Sequence, residues 1–405
     1  MGQLDPAAVE PKARWSGVFA MTLAVFALIA SEFMPVSLLT PVAADLGVSE
    51  GLAGQAISVS GAFAVLTSLS IARLAGNLDR KLVLLAMTAL MVIAAGVAAL
   101  ASSYAVYMLA RVFVGVAIGG FWSLSAATAI RLVPPRDVPR ALAIFNGGNA
   151  LATMVAAPLG SYLGSVVGWR GAFFCLVPVA LLALAWQWRS LPAMKQAARA
   201  TRQAGVLQLL RNPAVTLGMA AVGVFFMGQF ALFTYVRPFL EGVTGVDVST
   251  LSLILLVTGV AGFVGTTLVG AVLKTHLYRT LIAIPLAMAV IAAALVAAGR
   301  HPAAVTVLLA LWGLLATAAP VAWWTWLART LPQSAEAGGG LMVAVVQLAI
   351  ALGSTVGGLA FDTAGYGSTF MLSALLLLVA GCLALLASRA GASIEPALAL
   401  QGTNR

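Results

Sequence analysis

Leu82 to Ala101 reads LVLLAMTALMVIAAGVAALA, twenty residues without a charge. At about 1.5 Å per residue, a helix of roughly 20 residues crosses the hydrocarbon core of a bilayer. Lipid offers the backbone no hydrogen bonds, so such a stretch must satisfy its own as a helix. Outward from it, eleven more apolar runs of this kind occur, at 16–40, 51–73, 104–129, 139–166, 170–190, 213–238, 249–273, 280–299, 303–328, 338–361 and 368–389. The pattern predicts an all-α membrane protein with twelve transmembrane helices. Residues 16–190 and 213–389 each hold six of them. The basic segment 191–212 reads as a cytoplasmic linker, and 1–15 and 390–405 as cytoplasmic tails.

Composition agrees. Of 405 residues, 62% are hydrophobic and 8% charged, with a mean hydropathy of +1.05; soluble domains carry about 25% charged residues. The net charge of +10 raises the question of nucleic acid, and topology answers it. With the N-terminus in the cytoplasm, the far side receives only Arg170, Arg237 and Arg300, and Arg111 lies within a span. The other 18 of 22 basic residues fall on the cytoplasmic side, as the bias of membrane insertion requires. Both termini are expected in the cytoplasm, with the bacterial inner membrane as location and no nucleic-acid partner. Cys175 and Cys382 lie inside apolar runs and read as small core residues.

The two halves repeat at an offset of about 197–200 residues. Arg131-Leu-Val-Pro134 matches Arg329-Thr-Leu-Pro332. Thr40-Pro41 with Gly47-Val48 matches Arg237-Pro238 with Gly245-Val246. Gly160 and Gly168 match Gly358 and Gly365. Six spans per half give both halves the same orientation, a known transporter plan with the substrate site between them near the midplane.

Ionisable residues inside spans are few. Glu32 is the only acid well inside one, and an ionisable group at that depth costs about 2.5–3.5 kcal/mol or more, which marks it as a functional candidate. Arg111 is the only base within a span and lies at similar depth in the same half, which suggests a pair, direct or bridged by water. The alternative is a purely structural ion pair. Gly115 and Gly119 follow Arg111 at i+4 and i+8 and permit close helix approach. Asn146 and Asn149 share a face of span five, which Pro158, Gly160 and Gly164 would weaken or bend. Gln229 stands at the repeat position of Glu32, and Gln347 lies near the middle of span eleven. These four amides, with an aromatic face from Trp122 or Trp323, would suit a neutral, flat, hydrogen-bonding solute. Packing and interhelical hydrogen bonding are the plain alternatives. Asp79-Arg80-Lys81, after span two, offers a charge latch to neighbouring helix ends or simply a solvated surface.

No catalytic constellation or phosphate-cradling loop occurs. His276 and His301 join no metal-ligand cluster. No metal or cofactor is expected, nor an enzyme. A channel or a membrane-embedded enzyme fits the internal duplication and the asymmetric Glu32 less well than a transporter does.

At these residues the chain resembles the major facilitator superfamily, from about residue 15 to 390. Arg111 to Gly120 is similar to that family's proton-coupling motif, and Asn149 to Gly164 to its antiporter motif, with Ala157 where a glycine is usual. Asp79-Arg80-Lys81 resembles a shortened form of its loop motif. Phe33 to Pro41, Leu46 to Gly51, Gly119 to Trp122 and Gly228 to Ala231 narrow the resemblance to bacterial sugar and nucleoside exporters, purine ribonucleoside permeases in particular. The resemblance implies two pseudo-symmetric six-helix bundles and proton antiport of inosine- or guanosine-like solutes, by a monomer. Sugar or multidrug efflux is the alternative within the same family.

Overall fold

The computed structural model describes residues 13–75, 78–194, 209–331 and 335–392. Both tails before 13 and after 392, and the linker residues 195–208, lie outside them. The described residues form twelve α-helices: α1 Trp15–Ser37, α2 Leu39–Leu46, α3 Glu50–Ala75, α4 Arg80–Ala99, α5 Tyr104–Arg131, α6 Val138–Phe174, α7 Leu176–Ser190, α8 Pro213–Phe233, α9 Val236–Phe239, α10 Val248–Ala298, α11 Pro302–Thr330 and α12 Ala335–Ala392. Turns of 3-10 and π type occupy Pro135–Asp137 and Leu240–Thr244.

These helices do not correspond one to one with twelve spans. Three long ones contain a reversal where the sequence suggests a short loop. In α12 the break is Gly365, at φ 75°. Beyond it, Thr369 Oγ1 donates to the carbonyl of Gly357 at 3.1 Å and Ser368 Oγ to that of Ala360 at 2.8 Å. Residues 12 apart in a straight helix are separated by about 18 Å, so the chain doubles back at Gly365. Gly168 breaks α6 at φ 73°. In α10 the break is His276. Thr258 packs on Gly313, and the Leu273 carbonyl accepts from Arg329, so the first part of α10 runs parallel to α11. Only a returning segment, 277–298, connects two parallel helices through the short turn at 299–301. Spans one and seven each divide in two: α1 with α2, and α8 with α9.

The repeat is written in the backbone. Gly47, Gly168, Gly245 and Gly365 are the only described residues with positive φ. They form two pairs: Gly47 (66°, 38°) with Gly245 (69°, 30°), and Gly168 (73°, 165°) with Gly365 (75°, −173°). The interruptions of spans one and seven also match, at Leu38 (−114°, 8°) and Tyr235 (−106°, 15°). In both cases a proline, Pro41 or Pro238, stands in the first turn of the helix that follows, where its missing N–H breaks no hydrogen bond within that helix.

The ends of the spans define two faces. The proximal face carries residues 13–15, 131–138 and 190; the distal face carries 38–50, 101–104, 168, 235–248, 299–302 and 365. Side chains pointing away from the bundles are apolar, among them Leu69, Leu74, Leu268 and Val290, each more than 60% exposed. Outward leucines in such numbers fit a lipid boundary. The protein is a multi-pass membrane protein with two six-helix halves.

The halves meet along two seams. One joins α3 to α12 before Gly365; the other joins α6 to α10 before His276. Among the described residues, the side-chain hydrogen bonds between halves run from mid-membrane to the distal face. In the second seam the Met154 carbonyl lies against Gly259, and Ser252 Oγ donates to Ser161 Oγ at 2.9 Å. Nearer the proximal face the same two helices present Gly147 and Gly270, beside which a methyl group would meet nothing within 4 Å. The interface is closed distally and parted proximally.

Candidate transport site

Arg111 lies on α5 with 1% of its surface exposed, and Glu32 on α1 with 5%. They are neighbours, but no ion pair joins guanidinium to carboxylate. The direct form of the expected pair is corrected on this point, while the two charges remain within electrostatic reach of each other. Arg111 Nη1 donates to the carbonyl of Ser31 at 2.8 Å, Nη2 to the carbonyl of Glu32 at 3.3 Å and to Ser60 Oγ at 3.0 Å, and Nε to the carbonyl of Ala56 at 3.1 Å. The reason is Pro35. Proline has no N–H, so the Ser31 carbonyl, four residues earlier, lacks its helical partner. In lipid an unpaired carbonyl is costly, and Arg111 fills the vacancy. Arg237 does likewise at the end of α1, donating to the Ser37 carbonyl where Pro41 supplies no N–H. It is also paired with Glu241 at 2.7 Å.

The Glu32 carboxylate looks instead to the other half: Gln347 Nε2, on α12, donates to its Oε1 at 3.4 Å. Beside this contact Phe33 and Phe230 stack across the interface, centroids 5.8 Å apart. Gln229, adjacent to Phe230, has its Oε1 buried without a partner. A titratable carboxyl, an amide from the opposite half and two stacked aromatic rings thus meet at mid-depth between the halves.

The other expected substrate residues lie elsewhere in this state. Asn146 is exposed on α6, its Nδ2 donating to the Leu142 carbonyl at 2.9 Å, and the Asn149 carbonyl accepts from Thr153 one turn on. Trp122 packs edge-on against Phe145 within the first half. Trp323 is 2% exposed, edge-on to Trp326 in the core of the second half, and presents no open ring face.

The expected gating residues have identifiable neighbours in this state. A methyl group on Gly115 would meet the Ser60 carbonyl, and one on Gly119 the Ala64 carbonyl, so these glycines let α5 lie on the backbone of α3. Gly160 and Gly164 face Ser37 and Leu38 of the first span, and Pro158 lies inside α6. Asp79 accepts from the backbone N–H groups of Lys81 and Met194, both at 2.8 Å, while the Arg80 N–H donates to the Met194 carbonyl at 3.3 Å. Lys81 Nζ reaches the Trp188 carbonyl at 2.7 Å. The segment after span two therefore grips the backbone at the end of α7 and just beyond it, within its own half.

Sequence reasoning missed the polar seam formed by Gln55, Ser58 and Thr355, whose hydroxyl is 3.1 Å from Gln55 Oε1 and 2.9 Å from Ser58 Oγ. It also missed what holds Arg111, although Pro35 four residues after Ser31 was a readable signal. Among the described residues no group of His, Cys, Asp and Glu is placed to hold a metal ion.

Residues 21–354 match the Major Facilitator Superfamily. A Pseudomonas aeruginosa protein named transcription regulatory protein OpdE is 61% identical over 386 residues, 95% of this chain and 96% of that one. The purine ribonucleoside efflux pump NepI of Escherichia coli K12 is 40% identical over 369 residues, 91% of this chain and 93% of that one. A bacterial homologue of the human lysosomal transporter Spinster, in an inward-facing, occupied conformation, superposes with a TM-score of 0.74 at 18% identity, covering 92% of this chain and 96% of its own.

Proposed function

Because the chain belongs to the major facilitator superfamily, whose fold is that of transporters and not enzymes, we propose that it exports a small neutral solute in exchange for protons by alternating access. The substrate class proposed is purine ribonucleosides such as inosine and guanosine. One observation carries the coupling: the Glu32 carboxylate is buried between the halves and bonded across the interface to Gln347, while Arg111 is occupied with backbone carbonyls. A carboxylate so placed binds or releases a proton only as the interface rearranges, which links protonation to the conformational step. Arg111 holds α1 in position for it.

The substrate reading is supported by the name of the 40% identical pump and by the chemistry at mid-depth. Gln229 and Gln347 present amides, and Gln229 Oε1 lacks a partner. A base edge or ribose hydroxyl would supply one, and leaving such a group unpaired costs about 1–3 kcal/mol. Asn146 and Asn149 would join when the solute enters from the parted proximal side. The proximal face is assigned to the cytoplasm and the distal face to the periplasm, with both termini and the linker cytoplasmic and the protein a monomer in the inner membrane. On the distal face Arg170 is paired with Asp45 at 2.7 Å and Arg237 with Glu241, which sharpens the charge asymmetry.

The regulatory name of the 61% identical relative fits this reading indirectly. The linker 191–212 is too short for a DNA-binding domain, but a transporter that sets the concentration of an inducing solute alters transcription. Uptake of labelled inosine into inverted vesicles tests the proposal. Uptake should require an imposed proton gradient, saturate, and be blocked by guanosine but not by ribose or a lipophilic cation. Equal inhibition by the lipophilic cation establishes the multidrug reading, and by ribose the sugar reading. Gradient-independent, non-saturating flux establishes a channel.

A further inference from the structure

We propose that Asp362 latches the distal gate by capping the first turn of α3 in the opposite half. Asp362 lies near the distal end of α12, just before the Gly365 reversal. Its Oδ2 accepts from Ser49 Oγ at 2.5 Å and its Oδ1 from the backbone N–H of Gly51 at 3.0 Å. Ser49 Oγ in turn accepts from the Leu52 N–H at 3.1 Å. The free N–H groups at a helix start favour a negatively charged oxygen. Glycine at position 51 is what allows the carboxylate so close, because a side chain there would collide with it.

Comparison of the repeats shows that the charged part of this cap is borrowed. Ser49 occupies the position of Asp247, at the offset of 198 that also relates Gly47 to Gly245. Asp247 caps its own helix: its carboxylate accepts from the Ser249 N–H at 3.1 Å and from Thr250 Oγ1 at 2.5 Å. The first half has serine instead, and the charge comes from the second half. The cap of α10 therefore survives separation of the halves whole, whereas α3 keeps only its Ser49 cap on the Leu52 N–H and loses the carboxylate.

The latch lies on the stripe of α12 that faces the first half. From the distal end, Asp362 bonds Ser49 and Gly51, Gly358 lies against Gly51, Thr355 bonds Gln55 and Ser58, the Ala351 carbonyl accepts from Ser58 Oγ at 2.9 Å, and Gln347 meets Glu32. One helix face thus runs from the gate to the carboxylate assigned to coupling. The proposal rests on alternating access by this fold, and its test needs neither substrate nor a proton gradient.

The test is the labelling rate of Ile57→Cys, which is buried at the seam, in a background with Cys175 and Cys382 replaced. A membrane-impermeant maleimide is applied to intact cells and to inverted vesicles; the exposed Ala44→Cys identifies the side that reaches the distal face. Asp362→Ala should accelerate distal labelling about tenfold, the size expected for losing charge-assisted hydrogen bonds. Ser49→Asp gives α3 a charged cap of its own and repels Asp362, so it should do the same without endangering the fold. The double variant should label no faster than the faster single one, and Asp247→Ala should leave the rate unchanged. Wild-type rates in both single variants overturn the proposal. So do additive acceleration in the double variant and equal acceleration by Asp247→Ala. Failure of nucleoside uptake in vesicles leaves these rates unaffected and bears only on the substrate.

Discussion

Arg111 Nη1 donates to the carbonyl of Ser31, the acceptor that Pro35 leaves without a helical partner. A residue that reads from sequence as a counter-ion for Glu32 is thus bound chiefly to main chain of α1 and α3 and to Ser60. Its four donations fix the two helices that flank the carboxylate.

Arg111→Lys should therefore act first on stability. Lysine keeps the charge but cannot reach four acceptors in a fixed fork. At least one buried acceptor is left unpaired, at about 1–3 kcal/mol. Thermal unfolding in detergent should show a clearly lowered midpoint. A midpoint equal to wild type, together with lost coupling, would return Arg111 to the role of counter-ion.

Glu32→Gln keeps the shape and the contact with Gln347 but cannot exchange a proton at neutral pH. Gradient-driven export should be abolished while solute binding or exchange partly persists. Vesicle uptake with and without an imposed gradient checks this. A variant that still concentrates solute at the normal rate excludes Glu32 as the coupling group.

The four left-handed glycines separate into two costs. Gly168 and Gly365 combine positive φ with ψ near 180°, a region essentially reserved for glycine. Gly47 and Gly245 occupy the left-handed helical region, which other residues enter at about 1–2 kcal/mol. Alanine at 168 or 365 should thus destabilise by about 1–3 kcal/mol and by more than alanine at 47 or 245. Ranked melting temperatures of the four variants decide the point.

For topology, Ala200→Cys in the linker should react with an impermeant maleimide only after cells are permeabilised. Labelling of residue 200 in intact cells sinks the cytoplasmic assignment of the linker and both termini.

The fold was readable because lipid imposes the strictest rule in the sequence. Twenty apolar residues permit little but a helix, and Gly47, Gly168, Gly245 and Gly365 kept one register through both halves. The span ends were less legible. Only six residues separate spans eight and nine (274–279) and spans eleven and twelve (362–367), so helical geometry continues to within one residue of the reversals at His276 and Gly365. At the site, burial of Glu32 and Arg111 followed from their isolation among apolar neighbours. Their separate partners did not, since these depend on contacts between residues up to 315 apart in the chain, such as Glu32 with Gln347. Trp323 was misleading because helical spacing places it on a face without telling whether that face meets a cavity or the core.

The reversal at Gly365 also bears on how the chain is made. Spans eleven and twelve are joined by a single non-helical residue, with hydrogen bonds from Ser368 and Thr369 back across the turn. Such a join has no slack. Neither span can take its final place in the bundle until the other has arrived, because the turn and its hydrogen bonds need both. The two spans are expected to enter the bundle as one helical hairpin, a single step in membrane assembly.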